Sequence, residues 1–527
     1  MPDAYSILPA GDEALLIELA TLEQTLALAD GLRRAGVPGI TDLVPAARTV
    51  LVCFDRNLTS GPAVREAVAN IDLARGETRQ GQSFEIPVVY DGEDLEEVAA
   101  FLGWSIEKLV SRHTAARYTV AFTGFAPGFA YMVCDDPELD VPRRKSPRTR
   151  IPAGSVALAG KFGGIYPSDS PGGWQLLGTT PLKMWDTRRE KAALLSPGDR
   201  VRFRSATDAD LKAAAVKIVV PVRDVEKGLV VTRADRPALF QDMGRRGYSS
   251  QGVSRSGALD RRSMRLANLC VGNPPEAAVL EIAFGGFSIR ADRPITVAAA
   301  GAPCGLSIKT AAGDKVSAPF QHPFALDAGD ELIFGTPAEG VVTYLALRGG
   351  FEVDEVLGSA STDTLARLGP KAITAGSILV PAERRANAVQ FEVGSRPRLG
   401  TVYDTIILDV TPGPRAAWFA PATVDLFLSQ EWSVTPDSSR IGMRLAGNVP
   451  LVRAVEGELA SEGTVPGAIQ VPHDGQPVVF LNDHPLTGGY PVIAVVAEHH
   501  RDLAGQIPIG AKVRFHAIQS FYPDTEE

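Results

Sequence analysis

Glycine and proline punctuate this chain so often that long helices and an extended parallel sheet have little room. With 51 glycines and 39 prolines scattered through 527 residues, a turn-forming residue arrives about every six positions. From residue 84 onward the apolar runs between them are short and strand-like, as in FEIPVVY at 84–90, and that texture favours barrels or sandwiches. Short helical patterns interrupt it at 95–102 and 106–112. After residue 227 only SMRLANLC at 263–270 reads as helix.

The first eighty residues read differently. Leu15, Leu16, Ile17 and Leu19 suggest a strand, and Leu22, Leu26 and Ala29 then follow helical spacing. TVLVCF at 49–54 is a buried-strand pattern. A second helix is expected after Ser60, with Pro62 in its first turn and Val64, Val68 and Ile71 inward. A chain of this length exceeds one core. We divide it at 1–82 (a small α/β lobe), 83–222 (a barrel), 228–400 and 401–520 (two lobes of a second half). GETRQGQS at 76–83 and RDVEK at 223–227 serve as connectors.

Charge and cysteine usage exclude several classes. The net charge of −9 has no long basic run, which argues against nucleic-acid and anionic-membrane partners. No apolar run approaches a membrane span. The first residues, MPDAYSILPAGDEALL, carry acids where a signal peptide needs positive charge. Cys53, Cys134, Cys270 and Cys304 lie far apart, as expected of reduced thiols in a cytoplasmic protein.

Standard catalytic motifs are missing. No Gly-x-Gly triplet occurs, and Gly160-Lys161 is followed by Phe162 instead of the Ser or Thr of a P-loop. Leu182-Lys183-Met184 does not sit in the context of a biotinylated hairpin. His499 and His500 are adjacent and would face opposite ways on a regular strand, so no metal site is expected. The chain does contain an internal echo. Ile151-Pro-Ala-Gly-Ser-Val156 and Ser170-Pro-Gly-Gly-Trp174 match Val465-Pro-Gly-Ala-Ile469 and Leu486-Thr-Gly-Gly-Tyr490, allowing one gap. Either this is coincidence between glycine-rich turns, or one barrel type is used twice. In the second case the matching loops should line one shared cleft.

Longer stretches are more specific. His113-Thr-Ala-Ala-Arg-Tyr-Thr-Val, Gly124-Phe-Ala-Pro-Gly-Phe-Ala-Tyr131 and IPAGSVALAGKFGGIYPSDSPGGWQLLG at 151–178 resemble the B subunit of 5-oxoprolinase, also called allophanate hydrolase subunit 1. Gln241-Asp-Met-Gly-Arg-Arg-Gly-Tyr248, Ser256-Gly-Ala-Leu-Asp260, Leu357-Gly-Ser-Ala-Ser-Thr-Asp363, Asp437-Ser-Ser-Arg-Ile-Gly-Met-Arg-Leu445 and Gly467-Ala-Ile-Gln-Val-Pro472 resemble the C subunit of 5-oxoprolinase, or allophanate hydrolase subunit 2. The chain looks like these two proteins fused head to tail. The resemblance implies a mainly β fold with an N-terminal α/β lobe and cyclophilin-like β-barrels in both halves.

It also implies a function. First is a component of an ATP-dependent 5-oxoprolinase, using ATP with Mg and the separate A subunit of that enzyme to open the lactam of 5-oxo-L-proline. Second is the carboxyltransferase of a biotin-dependent urea or amide carboxylase. That enzyme would need a biotin carboxylase and a biotin carrier in trans, because no biotin site is encoded here. Phe162 stands where the B-type patterns carry Gln, and urea carboxylase also tends to carry an aromatic there. Third is a non-enzymatic inhibitor of a sensor histidine kinase, as in one branch of the family.

Either enzyme needs charged residues on glycine-rich loops. Asp483, before Gly488-Gly489, is the leading catalytic candidate; its bland alternative is an Asx-turn. His484 is a candidate acid–base group, and Glu462 a base. His113, expected just before a strand, matches a family histidine. Arg440 and Arg444, four apart in an expected strand, should share a face suited to phosphate or carboxylate. Arg245 and Arg246 could reach an anion from the second half. Tyr166 and Trp174 are expected to wall a pocket, with Gly172 and Gly173 shaping its loop.

Overall fold

The computed structural model describes residues 5–73, 81–144, 146–214, 227–391, 394, 398–457 and 459–521. Most of both expected connectors, at 76–83 and 223–227, lies outside these residues. The fold is mainly β, with barrels in both halves. Among the described residues no helix is long and apolar enough to cross a membrane.

The N-terminal lobe is a four-stranded antiparallel sheet of Tyr5–Pro9, Ala14–Leu19, Thr49–Phe54 and Ile40–Pro45, in that spatial order. Helix Leu22–Ala35 starts on a reciprocal cap: Thr21 accepts the Gln24 amide and the Gln24 side chain returns to Thr21. It ends at Gly36, whose φ of 55° suits glycine. Leu28 and Leu32 of this helix, with Val64 and Val68 of helix Gly61–Ala69, bury one face of the sheet. The opposite face carries Ala14, Leu16, Val44 and Leu51, and it packs on the far end of the sequence, against Val465, Ala468, Leu486 and Val495.

Two barrels follow the same plan. The first uses, in chain order, Ser83–Val88, Tyr118–Thr123, Ala130–Cys134, Ser155–Ala159, Phe162–Ile165, Gln175–Thr179 and Arg200–Ser205. The second uses Thr405–Pro412, Trp432–Val434, Gly442–Ala446, Ala468–Gln470, Val478–Phe480, Val492–Val496 and Lys512–Ala517. In both, the spatial order is sixth, fourth, fifth, third, second, seventh, first. First and seventh strands run parallel in each. The second barrel is closed; the first closes through Val89 and Thr179, which exchange two 2.8 Å backbone hydrogen bonds.

Each barrel also carries a two-stranded ribbon, Arg148–Ile151 with Ser170–Gly172 and Glu462–Gly463 with Thr487–Gly488. These ribbons hold the echoing segments. In both, a glycine with φ near 86°, Gly154 or Gly467, turns the chain into the fourth strand. The echo is therefore a shared topology.

Between the barrels lies a sandwich. A six-stranded sheet and a five-stranded sheet bury Leu280, Ile289, Val297, Leu332 and Phe334 between them. Helix Arg261–Cys270 covers the outer face of the five-stranded sheet with Met264 and Ala267, capped by Asp260 on the Ser263 amide at 2.8 Å. A further helix, Pro421–Ser429, was not expected. Its opening Pro-Ala looks like a breaker, yet proline at the first helical position gives up no hydrogen bond.

Gly172 and Gly488, at equivalent ribbon positions, are closely packed; a Cβ on Gly488 would lie 2.3 Å from the Gln470 amide nitrogen. A Cβ on Gly172 would lie 2.3 Å from the Tyr166 hydroxyl and 2.9 Å from Ile151, whereas one on Gly173 would find nothing nearer than 3.7 Å. Gly172→Ala should therefore destabilise by about 1–3 kcal/mol and Gly173→Ala should be close to neutral, as read by calorimetric melting of both variants.

Candidate functional site

The sequence-predicted residues do not form one cluster. Asp483 is fully buried where the second barrel meets the sandwich. Its Oδ1 accepts the Ser256 hydroxyl at 2.7 Å, and its Oδ2 accepts the Thr364 amide at 2.9 Å and hydroxyl at 2.8 Å. Arg440 adds a fork at 3.0 and 3.1 Å. Burial pushes this carboxyl up, but Arg440 and the Thr364 and Ser256 hydrogen bonds outweigh it and hold it below the usual range. Both oxygens are saturated by protein donors, so Asp483 acts here as a lock. Asp363 beside it is pushed up to about 6, by burial and then by the Asp483 charge.

Arg440 also pairs with Glu281 of the sandwich and donates to the Gly257 carbonyl at 2.7 Å. It precedes strand Gly442–Ala446, while Arg444 lies in that strand and faces solvent. The expectation that the two share a strand face is corrected: the turn at 437–441 swings Arg440 inward. Glu462 is likewise committed, to Arg415, which forks to Glu18 at 3.1 Å from both terminal nitrogens. Arg245 is buried and donates to the carbonyls of Val356 and Ser361.

His113 lies in the last turn of helix Ile106–Ala115, ahead of strand Tyr118–Thr123. It is fully buried, 2.8 Å from the Tyr90 hydroxyl and stacked on Phe203. Tyr166 and Trp174 are buried in an aromatic cluster around Phe129, with ring centroids 5.3 Å from it. The expected shared cleft does not form from the echoing loops. The second echoing loop instead meets the 124–131 loop of the first half, where a Cβ added to Gly124 would lie 2.6 Å from the Thr487 hydroxyl.

A cavity of about 110 Å³ forms at the seam of three lobes, lined by Val465, Pro466 and Leu486 of the second echoing loop and by none of the first. The N-terminal sheet contributes Glu13, Asp42, Cys53 and Asp55; the sandwich contributes Arg246, Ser254, Arg255 and Arg261; the second barrel contributes Thr464, Pro466, His484 and Arg501. At roughly 10–15 Å³ per water it has room for about seven to eleven waters, which suits a small organic acid.

Four guanidiniums converge on this space, and they are unequally matched. Arg501 pairs with Glu13 at 2.7 Å. Arg246 reaches Asp55 only at 3.8 Å. Arg255 donates through Nε to the Met243 carbonyl at 3.1 Å. The guanidinium of Arg261 has no hydrogen-bond partner among the described residues, and its Nε is buried. Burial, with Arg261 and Arg246 nearby, brings Arg255 down to about 8. Burial also lowers Arg261; the nearby Asp502 charge opposes this, and Arg501 and Arg246 add to it. Arginine does not give up its proton in proteins, so these shifts report buried guanidiniums crowded against one another.

The acids offset this charge only in part, with three carboxylates against four guanidiniums. Asp42 accepts from the Ser249 hydroxyl and the Gly247 amide, and burial pushes it up. Asp55 is engaged by the Asn57 amide at 2.9 Å and its side chain at 3.0 Å. His484 is nearly fully buried and brought down to about 4 by burial. Its Nδ1 lies 2.9 Å from the Pro485 carbonyl, which can only accept. The proton is therefore on Nδ1, and Nε2 is left as an acceptor. The cavity can bind and orient a small anion that also carries an N–H.

Of these residues, Arg246 and His484 were legible in the sequence, whereas Arg255, Arg261 and Arg501 were missed. Arg255 stands in a Ser-Arg-Ser-Gly turn at 254–257, the one local signal available.

The two barrels fall largely in segments that match the carboxyltransferase class. A family model for carboxyltransferase subdomains C and D matches residues 5–195, and one for subdomains A and B matches residues 251–517; the chain belongs to this family. Within it, the second half is 34% identical over 290 residues to the 5-oxoprolinase C subunit of Escherichia coli (strain K12), covering 54% of this chain and 90% of that protein. The first half is 36% identical over 206 residues to the 5-oxoprolinase B subunit of Escherichia coli O157:H7, covering 37% and 92%. The chain is similar to those two proteins joined in one polypeptide. Urea amidolyase of Lachancea kluyveri is 30% identical over 342 residues, covering 59% of this chain but 17% of that longer protein. The crystal structure of TTHA0988 superposes with a TM-score of 0.82 at 35% identity, covering 95% of this chain and 99% of that one.

Two measurements check these assignments. Asp483→Asn leaves Arg440 without its buried counter-charge and should cost about 3–5 kcal/mol of stability in urea unfolding. His113, whose ordinary value is 6.5, is brought down to about 3 by burial. The unfolded chain then takes up a proton that the native state refuses, so this contribution is full above pH 6.5 and is lost as pH falls toward 3. His113→Gln should narrow its stability gap to wild type steadily from pH 7 to pH 4.

Proposed function

We propose that this chain is the fused B–C component of an ATP-dependent 5-oxoprolinase, and that the seam cavity binds 5-oxo-L-proline. The observation that carries this reading is the excess of unmatched guanidinium charge in a space sized for a small acid. Arg261 and Arg255 hold the carboxylate through charge-assisted hydrogen bonds, and the bare His484 Nε2 accepts the lactam N–H. Full burial keeps His484 neutral, so it orients the ring without exchanging the proton.

The lactam is a poor electrophile. Transfer of a phosphoryl group from ATP to its carbonyl oxygen gives an imidate, which adds water at carbon. ADP leaves in the transfer; the hydrated adduct then breaks its C–N bond to give the amine and an acyl phosphate, which a second water hydrolyses to glutamate and phosphate. Within the cavity, Arg246 and Arg501 lie where positive charge would offset the developing negative charge.

ATP with Mg²⁺ does not fit the cavity. The space is too small for a nucleotide, and Glu13, Asp42 and Asp55 are already engaged. In this reading the separate A subunit of 5-oxoprolinase supplies the nucleotide. A second reading, biotin-dependent carboxyl transfer, is favoured by the urea amidolyase likeness. Biotin carboxylase and a biotin carrier would be its partners, and the same arginines would hold the transferred carboxylate. Urea itself is uncharged and makes little use of four guanidiniums.

The purified chain alone should show little 5-oxoproline-dependent ATP hydrolysis, and a matched A subunit should raise it. Arg261→Gln should increase the apparent KM for 5-oxoproline about 10- to 150-fold. ATP-dependent urea turnover with biotin carboxylase and carrier, with no response to the A subunit, would select the second reading.

A further inference from the structure

Seven histidines occur in this chain, and three of them surround one carboxylate far from the lactam chemistry above. Asp409 lies on the first strand of the C-terminal barrel, Thr405–Pro412. His516 is its register partner on the parallel last strand, with Nδ1 2.8 Å from Oδ1. His499 and His500 follow the neighbouring strand Val492–Val496. The expectation that adjacent histidines face apart is corrected here, because 498–500 is a 3₁₀ turn and not a strand. Both rings turn toward Asp409, their centroids 4.4 Å apart.

The donor geometry is close to that of a metal site. His499 Nε2 lies 2.9 Å from Asp409 Oδ2, and His500 Nδ1 lies 3.7 Å from the same oxygen. One donor atom from each of the three residues lies within 4.8 Å of the other two. A tetrahedral ion with bonds of about 2.0 Å separates its ligands by roughly 3.3 Å, between the two shorter distances. His500 Nδ1 accepts the Asp409 amide at 2.9 Å, so it is deprotonated but its one lone pair is engaged, and an ion held there would have to displace that hydrogen bond. His516 holds the other carboxylate oxygen, the role that an outer hydrogen-bond partner plays at ligating carboxylates. Among the described residues no lysine or arginine pairs with Asp409. The cluster is partly exposed and open to solvent ions.

We propose that Asp409, His499 and His500 bind a first-row divalent cation of the Zn²⁺ or Ni²⁺ class, with His516 orienting the carboxylate. Imidazole and carboxylate together suit these ions over Mg²⁺ or Ca²⁺. The ion would tie the 498–500 turn to the strand beside it, across the point where the barrel closes. This assignment does not depend on the proposed enzymatic reaction.

The test uses the full chain, treated with chelator and dialysed. Titration calorimetry with Zn²⁺ and with Ni²⁺ should give one site per chain with a micromolar Kd, and the melting temperature should rise with metal. His499→Gln and Asp409→Asn should each weaken binding at least tenfold, while His322→Gln, at a remote exposed histidine, should not. His499 is largely exposed, so its variant tests the site without threatening the fold. No heat and no melting shift at 100 µM metal, or binding unchanged in His499→Gln, would overturn the proposal.

Discussion

Arg440 cannot occupy its position without carboxylates from two lobes. A guanidinium removed from water loses several kcal/mol of solvation, recovered only where paired charges and hydrogen bonds surround it. Asp483 of the second barrel and Glu281 of the sandwich supply those pairs, and the Gly257 carbonyl accepts a further hydrogen bond. Arg415 repeats the device between Glu462 of the second barrel and Glu18 of the N-terminal sheet. The second barrel is thus held on two sides by buried cations, each of which tolerates only one relative placement of its lobes. The seam cavity lies where these lobes meet, so its shape inherits that precision.

Hydrophobic packing completes what the ion pairs register. Leu16 and Leu51 of the first sheet interleave with Val465 and Val495 of the last barrel, which joins segments more than four hundred residues apart. The loop at 242–257 threads between lobes as well: Ser249 donates to Asp42 and the Leu43 carbonyl, and Gly128 donates to the Gln251 carbonyl at 2.9 Å. Non-local contacts of this kind make the whole chain one structural unit in the described residues.

That same non-locality explains what the sequence could reveal. Elements with a local cause were legible: the helix after Asp260, the strand TVLVCF and the mainly β character all follow from periodicity and turn residues. The echo between the halves was legible as a pattern, but its meaning, an identical strand order, needed the pairings. Glycine-flanked charged residues drew attention to Asp483 and Glu462, and both proved to be buried partners of arginines. Local spacing cannot tell a lock from a base, because the difference lies in whether distant donors fill the lone pairs. Arg255, Arg261 and Arg501 share a cavity only after three lobes assemble, so no window along the chain contains them together. His499 and His500 misled for the opposite reason: a local rule for strands was applied to residues that form a turn.

The seam cavity draws its walls from both halves: Glu13, Asp42 and Asp55 come from the first, and the four arginines and His484 from the second. In relatives that match each half as a separate chain, such a cavity would exist only while the two chains are associated, and dilution would empty the population that has it. Joining them in one polypeptide replaces that bimolecular equilibrium with a fixed local concentration. The fraction of molecules with a complete cavity then no longer depends on how much protein the cell makes, and neither half can be produced in wasteful excess over the other.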